Sequence, residues 1–239
     1  MSEFKYAGTE LDLFQEALNW KKYWASFIHK YLLGEVLEVG AGLGQNTLLL
    51  RNRNVQRWVC LEPDHILCNR IHDTFKSHPR VKQYEVFEGT LSDLHPQQLF
   101  DVIIYIDVME HIRDDRNEMK TAAQHLKKDG RLIVLSPAHQ WLFTDFDLAI
   151  GHYRRYNKKT LLSIAAGVLT LERMFYLDSV GFFASFANRF FLKQSMPTLK
   201  QIRFWDKVVV RCSRVMDFIL FYKIGKSIMG IWRKTKTEF

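Results

Sequence analysis

The sequence predicts an α/β protein built on a mostly parallel sheet with helices on both faces. Short β-type runs alternate with helical patterns along most of the chain, an order that is typical of parallel sheets. Two of these runs, 100–107 and 130–136, are continuously apolar, as expected for strands that are buried on both faces. The chain has 239 residues, which is enough for a sizeable core, and we expect a single domain over 1–239.

Each element follows from the spacing of its apolar residues. Residues 10–33 have apolar side chains at helical intervals and predict one or two helices. The predicted strands are, in order, 35–39, 57–61, 81–88, 100–107, 130–136 and 227–233. The helices predicted between and after them are 43–53, 65–77, 117–126, 158–169 and 199–222.

Composition excludes several classes of protein. Hydrophobic residues make up 47% of the chain and charged residues 25%, which is ordinary for a globular protein and unlike a disordered, collagen-like or coiled-coil chain. Three cysteines without metal-ligand spacing argue against a disulfide framework and indicate a reducing compartment. The N-terminal residues lack the apolar core of a signal peptide, and polar residues interrupt the most apolar stretch, 174–192. We therefore expect a cytoplasmic protein without a transmembrane helix.

The basic charge is concentrated at one end of the chain. The formal net charge is +8, yet residues 1–188 hold 22 basic and 23 acidic side chains, whereas residues 189–239 hold 12 basic and 3 acidic ones. The predicted helix 199–222 has an apolar stripe and a basic cluster on its other side; the stripe is Ile202, Trp205, Val209, Cys212, Met216 and Ile219, and the cluster is Arg203, Lys207, Arg211 and Arg214. Such a helix can pack on its own domain, which is favoured, or lie on an anionic membrane surface, and the two can coexist.

The strongest motif is a glycine-rich turn after the first strand, in the segment VLEVGAGLG at 36–44. Glycines let the backbone turn sharply and let a ligand approach closely, and the helix that follows offers free N–H groups. Dinucleotide sites use G-x-G-x-x-G to hold a pyrophosphate, but here the spacing is G-x-G-x-G and Glu38 precedes it. A carboxylate there would repel a pyrophosphate and suit a cationic ligand. The alternative is a simple strand–helix turn.

Three further motifs follow the next three strands. Glu62 comes 20 residues after Gly42 and can accept hydrogen bonds from two ribose hydroxyls. The segment EGTL at 88–91 offers a place for an adenine ring, and DVMEH at 107–111 follows the fourth strand. Because ligands bind beyond the carboxyl ends of the strands in open α/β sheets, the four motifs in chain order predict one ligand site.

These motifs resemble those of class I S-adenosylmethionine-dependent methyltransferases, of the broad group that includes the ubiquinone-biosynthesis O-methyltransferases. The resemblance covers about residues 34–137. It implies a Rossmann-like α/β sheet of seven strands with the last antiparallel, S-adenosyl-L-methionine as the cofactor and S-adenosylhomocysteine as the product. The residues that it implies for cofactor binding are Glu38, Gly40, Ala41, Gly42, Glu62, Pro63, Gly89, Thr90, Leu91, Asp107 and Val108. Many members carry an Asp in place of Thr90.

A second signature lies in the other half of the chain. Residues 136–156 resemble the pattern SPAHxxLFxxxDxxxGHxRRY of a bacterial subgroup of these methyltransferases, and 226–234 resemble its last strand. We expect a helical cap at 1–33, a cofactor-binding half at 34–137 and a substrate-side half at 138–239. Segments 139–160 and 178–205 are expected to cover the active site together with the N-terminal helices.

Methyl transfer is an in-line displacement in which the enzyme mainly aligns donor and acceptor, and a hydroxyl acceptor also needs a base. His111, just after the fourth strand, is the candidate base, since an imidazole titrates near neutral pH. The alternative is that it caps a helix or packs under the cofactor. His152 and Tyr153 on the 151–156 loop are further catalytic candidates, and His139 is a secondary base candidate.

The substrate-binding candidates are Trp20, Tyr23, Asp145, Arg154 and Arg155. The two arginines suit a phosphate or carboxylate, because a guanidinium binds such groups bidentately. The alternative is that they pair with Asp145 and Asp147 to fix the loop. Trp20 and Tyr23 are expected either to form an aromatic lid with Tyr6 and Trp24 or to pack in the core.

A metal site is not predicted. Asp107, Glu110 and His111 resemble in type and spacing a Glu-x-x-Glu-His cluster at which ubiquinone O-methyltransferases hold a divalent ion. Here the first residue is a shorter Asp, and the adjacent residues 110 and 111 do not easily chelate the same ion.

The sequence thus predicts S-adenosylmethionine-dependent transfer of a methyl group, to an oxygen of a small or lipid-linked acceptor. The alternatives are N-methylation of a small molecule and a non-catalytic protein of the same fold that binds the cofactor or docks on a membrane. Nucleic acid is not expected as an acceptor, because no Asn-Pro-Pro-Tyr or Asp-Pro-Pro-Tyr motif follows the fourth strand. The expected location is cytoplasmic, with peripheral contact at the inner face of the membrane through the basic C-terminal helix.

Overall fold

Seven strands form one sheet in the order β3-β2-β1-β4-β5-β7-β6 in a computed structural model that describes residues 10–78, 84–165, 167, 169–187 and 198–235. The strands are β1 (Gly34–Val39), β2 (Val55–Glu62), β3 (Tyr84–Glu88), β4 (Phe100–Ile106), β5 (Leu126–Pro137), β6 (Thr170–Leu177) and β7 (Ser227–Arg233). The first five strands run parallel to one another, whereas β7 is antiparallel to both β5 and β6. The predicted fold class, with an antiparallel last strand, is confirmed.

Helices cover both faces of this sheet. They are α1 (Glu10–Phe14), α2 (Leu18–Ile28), α3 (Gln45–Leu50), α4 (His65–Lys76), α5 (Asp115–Gln124), α6 (Asp145–Ala149), α7 (Lys158–Ile164), α8 (Ser179–Ala187), α9 (Leu199–Phe204) and α10 (Val210–Ile219). A π-helical turn, Trp205–Val209, joins α9 to α10, and we call the continuous unit 199–219 the C-terminal helix. No helix in the described part of the chain is long and apolar enough to cross a bilayer.

The core has two layers, one on each face of the sheet. Side chains alternate between the faces along a strand, so that Ile104 of β4 packs in one cluster with Trp24 and Trp58. The next residue, Tyr105, packs in the cluster on the opposite face with Met119 of α5. Both faces of β4 are therefore buried, which explains its continuous apolar run.

The predicted element bounds differ from the observed ones in a few places. The helix predicted at 43–53 begins only at Gln45, because Gly44 still belongs to the glycine turn and has a φ of +71°. The predicted strand 81–88 is described from Tyr84 onward, and part of the predicted helix 158–169 lies outside the described residues. The strand that sequence patterns did not locate is β6, whose first four residues are exposed and therefore carry no apolar alternation.

The apolar stripe predicted for the C-terminal helix is wrong in its second half. Cys212, Met216 and Ile219 are exposed, whereas Asp206 and Asp217 are buried. The reason is hydrogen bonding to other helices: Asp206 accepts from the backbone N–H groups of Asn19 and Trp20 in α2, at 3.1 and 2.8 Å.

Asp217 performs the same role for α8. Its carboxylate accepts hydrogen bonds from the backbone N–H groups of Asp178 and Ser179, both at 2.8 Å, and from the Tyr23 hydroxyl at 2.8 Å. The first N–H groups of a helix have no partner within that helix. The C-terminal helix therefore supplies the caps of α2 and α8, and polar residues occupy the face that the pattern assigns to apolar ones.

We expect Asp217→Ala to lower the free energy of unfolding by about 3 kcal/mol, because it leaves three buried donors without an acceptor. Chemical denaturation followed by tryptophan fluorescence measures the change. Asp73→Ala is the matched control, since the Asp73 side chain is exposed and pairs with Lys76. Equal losses for the two variants would contradict the capping role of Asp217.

Candidate active site

A cavity of about 700 Å³ opens at the carboxyl edge of the sheet. It lies where β1 and β4 are adjacent in the sheet, the point at which the strand order reverses and where ligands bind in open α/β sheets. All four sequence motifs contribute to its wall. Helices α1, α2, α8 and α9 and the 142–155 segment complete the enclosure.

The glycine turn forms one wall of the cavity. Gly40 and Gly42 have φ angles of +67° and +57°, in the region that favours glycine. A Cβ atom on Gly40 would lie 2.6 Å from Val108, so this turn cannot accommodate a side chain there. Among the described residues, a Cβ atom on Gly42 would meet only Leu11, at 3.8 Å, which leaves the turn open to the close approach of a ligand.

Glu62 links the end of β2 to this turn. One carboxylate oxygen accepts a hydrogen bond from the backbone N–H of Gly42 at 2.8 Å, and the other accepts from that of Asp64 at 3.1 Å. Burial raises the pKa of Glu62 to about 7, although both N–H groups act in the opposite direction. Each oxygen keeps a second lone pair, so the carboxylate can hold the turn and still accept from a ligand.

Glu38 lies beneath the turn and is not part of the cavity wall. One carboxylate oxygen accepts from the Thr47 hydroxyl and from the Trp58 indole N–H, the latter at 3.0 Å. The other oxygen has no hydrogen-bond partner among the described residues. Burial raises the pKa of Glu38 to about 7, and Lys21 counteracts this rise. An ionised Glu38 would thus favour a cationic ligand in the cavity from beneath the turn, without contacting that ligand.

Asp107 faces the cavity from the end of β4. Its φ is +55°, which turns the chain sharply after the strand. Burial raises the pKa of Asp107, and the charges of His152, Lys226 and Lys21 lower it in part. The carboxylate therefore sits among cationic and titratable groups that come from three distant parts of the chain.

Two of these groups, Lys21 and Lys226, line the cavity and were missed by the sequence analysis. Burial lowers the pKa of both ammonium groups, while Glu38 and Asp107 raise that of Lys21. A signal existed for Lys21, since it interrupts the apolar face of α2 between Trp20 and Trp24. For Lys226 the signal is topological: it precedes the antiparallel strand β7, so it lies at the edge where the parallel strands end.

Pro63, Gly89, Thr90 and Leu91 line the cavity at the ends of β2 and β3. Leu91 is buried and contributes an apolar surface. The Thr90 hydroxyl is 2.7 Å from the Asp93 carboxylate, to which it donates a hydrogen bond within a capping box. This part of the wall is thus largely apolar, with the polar group of Thr90 already engaged.

His111 and His152 meet in the wall of the cavity. Their ring centroids are 4.5 Å apart and the rings are nearly perpendicular. The 151–156 loop brings His152 there because the Tyr153 backbone N–H donates to the Glu110 carbonyl at 2.8 Å, and the Tyr156 hydroxyl donates to the Met109 carbonyl at 3.1 Å.

Asp147 and Arg155 fix the orientation of His152. The Asp147 carboxylate lies 2.9 Å from His152 Nδ1 and accepts two hydrogen bonds of 2.8 Å from the Arg155 guanidinium. Burial alone would raise the pKa of Asp147, but the hydrogen bonds from His152 and Arg155 hold it below its usual value. This arrangement matches the loop-fixing alternative for Arg155, although Arg155 also lines the cavity.

Two groups near His152, namely His111 and Glu110, have shifted pKa values. Burial, followed by the charge of His152, lowers the pKa of His111 to about 4. Burial, followed by the charge of Asp107, raises the pKa of Glu110. His111 is therefore a neutral imidazole at physiological pH, the form that a proton acceptor needs.

Several predicted site residues lie apart from the cavity wall. Arg154 pairs with Asp115 at 2.6 Å, not with Asp145 or Asp147. The cavity wall contains Trp20 and Trp24 but not the other predicted contacts, which are Tyr23, His139, Asp145, Tyr153 and Arg154. Tyr6, the remaining member of the predicted aromatic lid, lies outside the described residues.

Among the described residues, Glu110, His111 and His152 each place one ligand-type atom within 4.8 Å of the others. This trio differs from the sequence-predicted Asp107, Glu110 and His111, because the loop contributes His152 in place of Asp107. We assign no ion to the trio, and the expectation of no metal stays a prediction.

A family model described as a methyltransferase domain matches residues 14–177. No curated protein matches the chain in sequence. Solved structures with a similar fold include the N-methyltransferase NodS from Bradyrhizobium japonicum WM9 in complex with S-adenosylhomocysteine, which is 14% identical with a TM-score of 0.57 and covers 93% of this chain and 88% of that one.

Two other solved structures show how varied proteins of this fold are. Coclaurine N-methyltransferase, bound to N-methylheliamine and S-adenosylhomocysteine, is 16% identical with a TM-score of 0.62, covering 97% of this chain and 76% of that one. The [4+2]-cyclase SpnF is 13% identical with a TM-score of 0.65, covering 96% and 95%. At these identities the likeness concerns the fold, and the acceptor has to be argued from the site itself.

We expect Glu62→Ala to weaken the binding of S-adenosylhomocysteine by more than about tenfold, because it removes both an anchor of the glycine turn and a ligand-facing carboxylate. Isothermal titration calorimetry measures the affinity. Glu88→Ala is the matched control, since Glu88 ends the neighbouring strand but is exposed and pairs with His65. If the two variants bind equally well, Glu62 has no part in the site.

Proposed function

The chain belongs to the methyltransferase-domain family and is a methyltransferase with S-adenosylmethionine as its cofactor, and on this premise we propose that it methylates an oxygen of a small or lipid-linked acceptor. The observation that carries the choice of oxygen is a neutral imidazole, His111, in the wall of the cavity. An oxygen acceptor must lose a proton as it is methylated, and His111 can take it.

The residues of the cavity fit this cofactor. S-adenosylmethionine carries a sulfonium and an ammonium, and the cavity has acidic groups at Asp107 and Glu62, with Glu38 just beneath the turn. The open side of Gly42 allows close approach, and the apolar wall at Leu91 suits an adenine ring. Lys21 and Lys226 offer cations for the carboxylate of the methionine moiety.

S-adenosylmethionine supplies an electrophilic methyl group on a sulfonium. The thioether that departs from this methyl group is an excellent leaving group. The contribution of the chain is to hold the two reactants in line and to exclude water. Glu62 and the glycine turn would fix the nucleoside end, and Asp107 and Val108 would border the methionine end. Helix α2 covers the cavity with Trp20 and Trp24, and the C-terminal helix covers it with Trp205.

His111 acts as the base in this proposal, and its neighbours act as positioning residues. His152 packs against its ring, Asp147 orients His152, and Arg155 holds Asp147. The chain of contacts keeps both imidazoles at fixed angles. A base that must accept a proton along one direction benefits from such fixed geometry.

N-methylation is the second candidate, and a specific observation favours it: Asp107 and Glu110 line the cavity, where they could accept hydrogen bonds from the N–H groups of a neutral amine and leave its lone pair free to attack the methyl group. A non-catalytic protein of the same fold would bind the cofactor but show no turnover. We propose a cytoplasmic place of action, which the free cysteines Cys60, Cys68 and Cys212 support.

We expect His111→Ala to lower kcat for an oxygen acceptor by about 100-fold or more without changing the affinity for S-adenosylhomocysteine. Because the base works unprotonated and its pKa is lowered to about 4, activity should stay flat at neutral pH and fall only under acid conditions. The acceptor is found by mass spectrometry, as the compound that gains one methylene group in mass.

His72→Ala is the control for this experiment, since His72 is exposed on α4, away from the cavity. A pH profile that falls near 6.5, the ordinary pKa of imidazole, would exclude His111 in its buried state as the base. Full activity of His111→Ala on an amine acceptor would favour the N-methylation candidate. Cofactor binding without turnover on any acceptor would contradict both O-methylation and N-methylation.

A further inference from the structure

We propose that the outer face of the C-terminal helix, 199–219, is a docking surface for an anionic lipid bilayer. The bilayer would then lie next to the helices that cover the cavity. The apolar members of this surface are Phe204, Val208, Val215, Phe218 and Ile219, and its basic members are Lys207 and Arg211. Binding of this surface to a bilayer does not depend on which reaction the protein catalyses. Its role in delivering a lipid-linked acceptor rests on the proposed function.

The apolar members are large and exposed. Phe204, Val215 and Phe218 expose 61%, 61% and 71% of their surface, and Val208 and Ile219 expose 45% and 55%. Phe204, Val208, Val215 and Ile219 follow one another at intervals of four, seven and four residues, which is the spacing of one helix side. Contiguous exposed apolar surface of this kind marks a site of interaction with a protein or a membrane.

The exposed charges of the same helix are all positive. Both of its carboxylates, Asp206 and Asp217, are buried because they cap α2 and α8. Lys207 and Arg211 are exposed, and within the described part of the chain neither forms an ion pair. Arg203 pairs with Glu16 at 3.2 Å, so it contributes less.

Apolar side chains flanked by unpaired Lys and Arg are the composition of a helix that lies in a membrane interface. The basic groups attract an anionic surface while the aromatic and aliphatic groups enter the boundary between head groups and chains. An acidic protein partner would satisfy Lys207 and Arg211 but would need a matching apolar groove. A bilayer satisfies both sets without a fitted shape.

The position of the helix connects the surface to the cavity. Ile202 and Trp205 of the same helix line the cavity, while Phe204 between them faces outward. Helix α8 packs beside it through the Val180 N–H, which donates to Ser213 Oγ at 3.2 Å, and Ala184 of α8 also lines the cavity. A docked bilayer would therefore lie one helix thickness from the cavity.

The test is cosedimentation of the full-length protein with vesicles of phosphatidylcholine alone or mixed with phosphatidylglycerol. We expect binding to the mixed vesicles to be stronger by about tenfold or more, and to weaken with added salt. Two variants should each lose about tenfold or more of this binding: Lys207→Gln with Arg211→Gln, and Phe204→Ser with Val215→Ser and Phe218→Ser.

Matched controls carry the same kinds of change at exposed positions elsewhere. They are Lys120→Gln with Lys128→Gln, and Ile66→Ser with Leu162→Ser, and both should bind vesicles like the unchanged protein. Affinity for S-adenosylhomocysteine, measured on each variant, verifies that it is folded. None of the changed residues lies in the cavity wall.

Three results would overturn the docking surface: no binding to mixed vesicles, equal binding to neutral ones, or equal losses in the controls. Conversion of a dimer to a monomer by the apolar substitutions, without vesicle binding, would instead identify a second copy of the chain as the occupant. The proposed function fails separately. Vesicle binding without methyl transfer would overturn that function alone, and methyl transfer without vesicle binding would overturn the docking surface alone.

Discussion

Carboxylates crowded at the carboxyl edge of one sheet are the constraint around which the rest of this protein is arranged. Burial raises the pKa of Glu38, Glu62, Asp107 and Glu110, so holding them ionised costs free energy. The backbone N–H groups of Gly42 and Asp64 and the Trp58 indole compensate part of this cost. Because the compensation is incomplete, the edge favours a ligand that brings positive charge, and the helices that cover the cavity keep water from replacing it.

These carboxylates contribute to one of the two tasks of a methyltransferase, binding the cofactor, and not to the other, lowering the barrier of methyl transfer. Methyl transfer turns a sulfonium cation into a neutral thioether, so positive charge is lost from the cofactor as the reaction proceeds. Carboxylates near the sulfonium therefore stabilise the reactant more than the transition state and do not lower the barrier. Their contribution is to binding and to release of the product, which carries one positive charge less. Lowering the barrier is left to the alignment of the two reactants and, in the proposed function, to His111 as the proton acceptor.

How much the sequence could predict depended on the range of the interactions involved. The strands around the glycine turn, and Glu62 at the end of β2, are set by local runs and spacings, and the structure has them where the patterns place them. The approach of His152 to His111, in contrast, depends on two hydrogen bonds between distant segments: one from the backbone N–H of Tyr153 to the Glu110 carbonyl, and one from the Tyr156 hydroxyl to the Met109 carbonyl. Lys21 and Lys226 reach the cavity only because α2 covers the edge and β7 runs antiparallel. A pattern read along one segment holds no information on such distant partners.

The C-terminal helix shows the same limit, because its apolar periodicity predicts a helix correctly but assigns the wrong buried face in its second half. A buried face is usually apolar, and here it contains Asp206, Ser213 and Asp217. These polar groups are stable inside because each has a defined partner: backbone N–H groups of α2 and α8 for the two aspartates, and Asp178 for Ser213. Because these polar groups occupy part of the inner face, it takes up Ile202 and Val210 but not the other large apolar residues, and Phe204, Val215 and Phe218 remain outside. The surface of Phe204, Val215 and Phe218 is thus a direct consequence of how the cover of the cavity is fastened to the domain.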